Sequence, residues 1–541
     1  MHHNLITFLD CTLRDGGYYT EWDFNLDKTK KLIEELNEAG VNIIEIGYKA
    51  PYTKDKYFGL FRNCNEDYLT FLSKGDHAEY SFMIDVKEFV KEKSVDFPLL
   101  DKYIKDAHDS VFSWVRLASY YPTAWAIPEL ADYFHKKHYN VTFNLMGGSL
   151  LSDEELQEAL NLATEASVDV FYIADSFGAF YPEDVRRLIR FIKSGFSGKT
   201  GIHTHENQGL AYINTLTAIE EGIDFVDGTV CGMGRGAGNM RTEQFLLGYS
   251  QKYGDTRFNS ASLLPSIVNF IEPLKARFKW GFQYSYMFSG LMNIHPTYCQ
   301  KLSEGDRYTS EETHEILRKI PVENRTKYNK NTLDKAVEGV INVEAETFAT
   351  DAVNILDLKL LQSDTLLIIA RGNQAHNNIT GLLNLVERKK IPVMECNLTG
   401  FLPEDFRRYL VILNQNKIRK YLEMKEYPDV YLITGQPVGL GNGSSERAFY
   451  PVTLGHLDIS DDKLAIPDYD AGLYAIALAM KAGVKNIYLA GFDGFEDPDI
   501  NAGKDLYFSQ YAAMAKNLGK NLLFLTPSKY RSITQSSLYI Y

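Results

Sequence analysis

Between residue 4 and about residue 230, strand-like and helix-like runs alternate eight times, and few folds accept that pattern. The strand-like runs are 5–13, 42–48, 80–85, 110–117, 140–146, 169–175, 199–204 and 223–230. Amphipathic stretches such as 27–39, 153–166 and 181–194 lie between them. Eight β-α units of this period predict a (β/α)8 barrel, with the chemistry at the C-terminal ends of the strands. Those ends carry polar groups: Arg14 and Asp15, Glu45, Asp85, Arg116, Asn144, Asp175, then His203 and His205. A doubly wound open sheet explains the alternation but not this succession of polar strand ends.

The first run, Thr7-Phe8-Leu9-Asp10-Cys11-Thr12-Leu13-Arg14-Asp15-Gly16-Gly17, reads as a strand that stops at an Arg-Asp pair. The two glycines are expected to make a sharp turn there. A buried guanidinium and carboxylate are costly unless they face water, a metal or a substrate. In Gly201-Ile202-His203-Thr204-His205 the two histidines point to one side of a strand. Asp15, His203 and His205 together offer one carboxylate and two imidazoles, a ligand set suited to a catalytic divalent metal with open positions. Asp10 reads as a buried, hydrogen-bonded strand residue and Cys231 as a small buried thiol. Arg116 and Asp175 either pair inside the barrel or line its pocket. The glycines of Cys231-Gly232-Met233-Gly234-Arg235-Gly236-Ala237-Gly238-Asn239 predict a backbone that wraps closely around a ligand or ion.

At 541 residues the chain exceeds one ordinary core. We expect an α/β protein in three parts: the TIM barrel over 1–275, a helical extension over 276–350, and a Rossmann-like α/β domain over 351–541. The aromatic and methionine-rich run 280–295 is expected to pack on the barrel or on a second subunit. A boundary falls near 345–365, and strands restart at 364–370, followed by 392–397, 409–414, 430–434, 486–490 and 521–525. The net charge of −14 argues against a general nucleic-acid or anionic-membrane surface. Five scattered cysteines suit a reducing cytoplasm. No signal peptide is visible, and no apolar run is long enough to span a bilayer.

Asp10-Cys11-Thr12-Leu13-Arg14-Asp15-Gly16, His203-x-His205 and Gly232-x-Gly234-x-x-Ala237-Gly238-Asn239 together resemble the metal-dependent aldolase and lyase superfamily. That group includes hydroxymethylglutaryl-CoA lyase, isopropylmalate synthase and 4-hydroxy-2-oxovalerate aldolase. The resemblance covers about residues 4–300, and the segment from Trp280 to Pro296 looks most like the hydroxyoxovalerate aldolase branch. It implies that Asp15, His203 and His205 hold a divalent ion (Mn2+, Mg2+, Co2+ or Zn2+), with Asn239 at its edge. It implies that Arg14 stabilises an enolate and that Glu45 lines the pocket; from their places at strand ends, Arg116, Asn144 and Asp175 are expected around the substrate. A divalent ion and a guanidinium beside a forming enolate fit that chemistry. One departure is plain. The aldolase branch carries a histidine soon after Arg-Asp-Gly, assigned as the base, where this chain has Gly17, Tyr18 and Tyr19. The proton carrier is then Tyr18, Tyr19 or a metal-bound water, and a tyrosine in that role needs a nearby cation.

The second domain resembles the nucleotide-binding domain of bacterial sialyltransferase-like proteins. Its carriers are Ala370-Arg371-Gly372-Asn373, Asp468-Tyr469-Asp470-Ala471-Gly472 and Leu489-Ala490-Gly491-Phe492-Asp493-Gly494. This implies a nucleotide or nucleotide-sugar ligand, with Arg371, Gly372 and Asn373 at phosphate and Asp468 and Asp493 at ribose hydroxyls. The alternative for Asp493 is a strand-to-helix turn, and for the domain a packing or dimerisation role.

The expected activity is an aldol addition or cleavage between pyruvate, or a related 2-oxo acid, and an aldehyde. The fused domain hints at a sugar aldehyde in surface-polysaccharide biosynthesis. A Claisen-type acyl-CoA condensing enzyme or lyase is the second reading, and an inactive barrel scaffold with a ligand-binding C-terminal domain is the third. The expected partners are small molecules and further copies of the chain in a homo-oligomer, with neither nucleic acid nor membrane.

Overall fold

The computed structural model describes residues 5–303 apart from 53–56 and 75–76, then 308, 310–341 and 353–354. It also describes 363–540 apart from 398, 400, 404–405, 407–408, 414–416, 419–420, 422–430, 436–446, 450–451, 461–463, 469 and 495–497. The chain separates into two compact units, Met1–Val337 and Glu338–Tyr541. The boundary expected near 345–365 lies mostly outside the described residues, as do Asn414, Val430 and Tyr469 of the second-domain motifs.

The first unit is a closed parallel barrel of eight strands. They are β1 (Thr7–Asp10), β2 (Ile43–Tyr48), β3 (Glu79–Asp85), β4 (Trp114–Tyr120), β5 (Asn140–Met146), β6 (Val170–Asp175), β7 (Lys199–Thr204) and β8 (Phe225–Gly228). β1 pairs with β8 (Thr7 opposite Phe225) and with β2 (Leu9 opposite Ile43), which closes the ring. Alternate residues point inward. Leu9, Ile43, Val170, Tyr172 and Phe225 form an apolar floor inside the barrel. One inward position further along β2 and β8, and on β4, come Glu45, Asp227 and Arg116. The outward faces, with Phe82, Val115, Phe143, Phe171, Ile202 and Val226, are buried against the surrounding helices.

The opening motif differs from its expected form. The strand ends at Asp10, and Arg14, Asp15, Gly16 and Gly17 lie within helix α1 (Thr12–Thr20). Asp10 Oδ1 accepts the amide of Thr12 at 3.0 Å and starts that helix. The two glycines are there for space and not for a turn. A Cβ on Gly16 would stand 2.7 Å from Met233 Sδ, and one on Gly17 would stand 2.1 Å from the Trp22 ring. The fourth strand is shifted toward the C-terminus from the expected 110–117, and the eighth occupies only the middle of the expected 223–230.

Six of the barrel strands are each followed by a full helix: α2 (Leu26–Glu38), α3 (Ile127–Lys136), α4 (Asp153–Glu165), α5 (Pro182–Gly195), α6 (Ala211–Glu220) and α7 (Thr242–Tyr253). Asn25 caps α2, and a Ser152–Glu155 capping box starts α4. After β2 and β3 the chain runs through short 3-10 turns and the four-residue helix Phe97–Leu100 instead of full helices. Beyond α7, helix α8 (Tyr284–Leu291) and its flanks pack on the barrel loops. Trp280 Nε1 donates to Cys231 O at 3.1 Å, and Asn207 Nδ2 donates to Tyr286 O at 3.0 Å.

The second unit carries a parallel sheet of β9 (Val353–Asn354), β10 (Thr365–Ile369), β11 (Val393–Cys396), β12 (Tyr409–Val411), β13 (Tyr431–Thr434), β14 (Arg447–Phe449), β15 (Asn486–Ala490), β16 (Asn521–Phe524) and β17 (Thr534–Gln535). Its strand order is β9-β14-β13-β12-β11-β10-β15-β16-β17. Leu366 and Ile368 of β10 enter one core with helix α11 (Ala471–Lys481), while Leu367 and Ile369 enter another with α10 (Ile379–Lys389). Both faces are therefore covered, as a doubly wound sheet requires. Among the described residues, no helix is long and apolar enough to cross a membrane.

Candidate active site

A circuit of ionised side chains runs across the barrel mouth. Arg14, on α1, donates Nε to Glu45 Oε2 at 2.8 Å and Nη1 to Asp15 Oδ1 at 2.7 Å. Glu45 Oε2 also accepts from Arg116 Nη1 at 3.2 Å, and Arg116 Nη2 donates to Asp227 Oδ2 at 2.5 Å. The same Asp227 oxygen lies 3.0 Å from His203 Nδ1. Glu45 and Arg116 are fully excluded from water, and Asp227, Asp15 and Arg14 nearly so. Three carboxylates against two guanidiniums leave the circuit one negative charge in excess, and it ends at Asp15 and His203.

Between those ends lies a ligand set. The side-chain donors of Asp15, His203 and His205 all fall within 4.8 Å of one another. A carboxylate or carbonyl oxygen opposite a ring nitrogen requires that nitrogen to carry the proton. His203 therefore gives its Nδ1 proton to Asp227, and His205 gives its own to the carbonyl of Asp175 at 2.9 Å. That leaves Nε2 as the coordinating atom of each ring, the arrangement that orients imidazole for a metal. Burial, then the neighbouring His203, pushes His205 down to about 3, so its ring is neutral. Burial opposes ionisation of Asp15, but Arg14, the two imidazoles and Asn239 hold it at about 2. Asn239 donates Nδ2 to Asp15 Oδ2, while its buried Oδ1 has no partner among the described residues. An orphaned acceptor beside a carboxylate and two bare imidazole nitrogens fits a divalent cation. Gly234 lets the loop lie on this group, because a Cβ there would stand 2.3 Å from Asn239 Nδ2 and 2.5 Å from Asp15 Oδ2.

Two comparisons bear on this geometry. The family model described as HMGL-like matches residues 116–267. The 4-hydroxy-2-oxovalerate aldolase of Carboxydothermus hydrogenoformans is 31% identical over 245 residues, which is 44% of this chain and 68% of that protein. The chain belongs to the HMGL-like family. The oxaloacetate decarboxylase of Mycobacterium tuberculosis is 28% identical over 235 residues, 43% of this chain and 67% of that protein. Among solved structures, the N-terminal domain of an aldolase-type protein from Bacteroides vulgatus aligns with a TM-score of 0.48 and 31% identity, covering 55% of this chain and 96% of that one.

The remaining expected residues of this HMGL-like barrel sit in the wall. Arg116 pairs with Glu45 and Asp227, not with Asp175. Asp175 accepts the amides of Ala179 at 2.8 Å and Phe180 at 3.3 Å, and burial raises it to about 7 in spite of them. Asn144 Oδ1 accepts from Thr142 at 2.7 Å. The Tyr18 hydroxyl lies 3.0 Å from that of Tyr48, and the Arg235 guanidinium stands 4.7 Å over the Tyr18 ring. Tyr19 donates to Gly236 O at 3.1 Å, and burial raises its phenol. Tyr18 thus has the nearby cation that a proton-carrying tyrosine needs.

Asp227, Tyr48, Arg235 and His295 were not singled out from the sequence. Asp227 was open to detection, since it stands two residues after Phe225 and faces the same way. His295 is brought in from the extension, and burial, then Arg235 and Lys87, keeps its ring neutral. The nearby set of Cys11, His203 and Asp227 belongs to the same site, and burial pushes the Cys11 thiol well up.

In the second unit the expected nucleotide residues meet each other. The strand order reverses between β10 and β15, and there Gly372 lies against Asp493, whose Cγ would be 2.4 Å from an added Cβ. An amide of the helix that follows is bonded to protein, Gln374 N donating to Asp493 Oδ2 at 2.8 Å. The helix that follows Arg371-Gly372, α9 (Asn373–Asn377), is short, and Arg371 is exposed. Asp468 pairs with Lys504, and Asp470 caps α11 through the amides of Gly472 and Leu473.

Proposed function

We propose that the barrel is a divalent-metal-dependent aldolase that joins or splits pyruvate, or a related 2-oxo acid, and an aldehyde. The observation that carries this reading is the Arg14 side chain. Its Nε and Nη1 are fixed by Glu45 and Asp15, and its Nη2 has no partner among the described residues. A guanidinium locked on one edge and open on the other, beside the Asp15–His203–His205 set, is preorganised for an oxyanion that develops during reaction. A divalent ion held by Asp15, His203 and His205, with Asn239 at its edge, would polarise the carbonyl of the 2-oxo acid.

In the joining direction a proton leaves C3 of the 2-oxo acid, C3 bonds to the aldehyde carbon, and the aldehyde oxygen takes up a proton. Arg14 Nη2 hydrogen-bonds the enolate oxygen. Tyr18 carries the proton, helped by the Arg235 charge over its ring and by the Tyr48 hydroxyl. Glu45, Arg116 and Asp227 hold Arg14 and His203 in place and act through them. The same enolate arises when oxaloacetate loses carbon dioxide, which relates the decarboxylase of Mycobacterium to the aldolase relatives. The test is to incubate the full chain with pyruvate, Mn2+ and a panel of aldehydes, sugar aldehydes included, and to read 4-hydroxy-2-oxo acids by mass spectrometry. Product formed with metal and abolished by EDTA supports the reading, and no product from any aldehyde contradicts it.

A further inference from the structure

One guanidinium at the barrel mouth lends its charge to Tyr18 but leaves its hydrogen-bonding edge unused by this chemistry. Arg14 and Arg116 are each held by two carboxylates. Arg235 makes no hydrogen bond or ion pair with any described residue, and its Nε is buried without a partner. The other cation near it, Lys87, is paired with Asp85 at 2.5 Å. Arg235 is nevertheless firmly placed. Gly234 before it lies against Asp15 and Asn239, and Gly236 after it lies against Pro296 and Tyr286. Its guanidinium stacks on Tyr18, and Tyr19 holds the carbonyl of Gly236. A half-buried guanidinium whose Nε is shut off from water with neither hydrogen bond nor ion pair is costly, and an incoming anion removes that cost.

We propose that Arg235 receives the negative end of the aldehyde partner, a carboxylate or a phosphate, so that the barrel selects anionic aldehydes over simple alkanals. The inference rests on the aldolase reading above and names its substrate class. The 2-oxo acid has its own partners in Arg14 Nη2 and the Asp15–His203–His205 set, which leaves Arg235 to the second substrate. The bond-making is unchanged: C3 of the 2-oxo acid bonds to the aldehyde carbon, one proton leaves C3, and one reaches the new hydroxyl.

The experiment compares kcat/KM of the full chain for succinic semialdehyde, glyceraldehyde 3-phosphate, propanal and butanal, with pyruvate and Mn2+ fixed. We expect one of the two anionic aldehydes to be preferred by ~10-fold or more, and the better of them identifies the anion. Arg235→Met should shrink the anionic-to-neutral ratio by ~10- to 10²-fold, the scale of one charge-assisted hydrogen-bonded contact. Arg235→Lys should restore part of it. A ratio that Arg235→Met leaves unchanged overturns the inference, as does equal use of neutral aldehydes by the unaltered chain. A higher KM for pyruvate at constant ratio also overturns it. If Arg235→Met does not fold, Arg235→Lys and Arg235→Gln report the same ratio. Exchange of pyruvate C3 protons in D2O by the unaltered chain, with no aldehyde present, separates the two failures. Without exchange the aldolase reading falls and takes this inference with it, whereas exchange with an unchanged ratio removes this inference alone.

Discussion

His203 Nδ1 sits 3.0 Å from Asp227 Oδ2, and the same oxygen accepts from Arg116 Nη2 at 2.5 Å. One carboxylate oxygen therefore orients a ligand histidine and anchors the arginine that reaches across to Glu45. Asp227→Asn should weaken divalent-metal affinity by roughly 10–100-fold, the usual loss for such a supporting carboxylate. It should also cost about 3–5 kcal/mol of stability, because Arg116 keeps only one of its two buried counter-charges. Chelator competition and urea melts measure both, and an unchanged metal affinity would remove Asp227 from the site.

Arg14→Ala should leave the metal bound and lower turnover by roughly 10²-fold or more, the scale of losing one preorganised donor. Arg14→Lys should rescue little, since the planar fork is what bonds Glu45 and Asp15 at once and still leaves one edge free. Steady-state kinetics with parallel metal analysis decides this, and near-normal turnover in Arg14→Ala would reduce the residue to a structural part.

Gly17→Ala should destabilise the barrel by about 1–3 kcal/mol, the range for forcing an atom into a packed site. The added Cβ would meet the Trp22 ring at 2.1 Å, and that ring donates Nε1 to the carbonyl of Arg14 at 2.8 Å. Gly16→Ala should cost less, because it meets the flexible end of Met233. Thermal melts of the two variants give the order, and a reversed order would contradict the packing described for α1.

Much of the architecture was legible from periodicity alone. Eight alternations, seven of them with a polar strand end, leave little besides a barrel, and the alternation of Leu366 and Ile368 with Leu367 and Ile369 suits a sheet covered on both faces. The local form of the opening motif was not legible. Adjacent glycines are poor helix formers, so Gly16-Gly17 reads as a turn until Met233 and Trp22 are seen to need the space. The Arg14–Glu45–Arg116–Asp227 circuit was hidden for another reason. Its partners lie on one helix and three strands, and only the closed barrel brings them within reach. Arg235 was masked by the glycines around it, and the pairing of Asp493 with the Gln374 amide depends on a strand order that no local signal carries.

Asp10 offers a test of pH dependence away from the metal ligands. Burial raises its carboxyl from 3.8 to about 6, against bonds from Thr242 and Thr12. The folded chain therefore keeps this proton to a higher pH than the unfolded chain. Stability from this group is present below pH 4 and is lost as pH rises from about 4 to about 6. Relative to the unaltered chain, Asp10→Asn should gain about 3 kcal/mol between those limits, at 1.36 kcal/mol per pKa unit. Urea melts at pH 4 and pH 7 measure it, and a difference independent of pH would mean that Asp10 is ionised throughout.

The most direct measurement follows the methyl protons of pyruvate by NMR in D2O, with the full chain loaded with one divalent ion and no aldehyde added. An enolate formed at this site predicts metal-dependent loss of the C3 proton signal. That loss should stop with EDTA, return with Mn2+, and be absent in His203→Ala, which should fold but hold no ion. Exchange that continues in EDTA, or in a His203→Ala variant free of metal, would contradict a metal-dependent aldolase, as would no exchange at all in a chain shown to carry its ion.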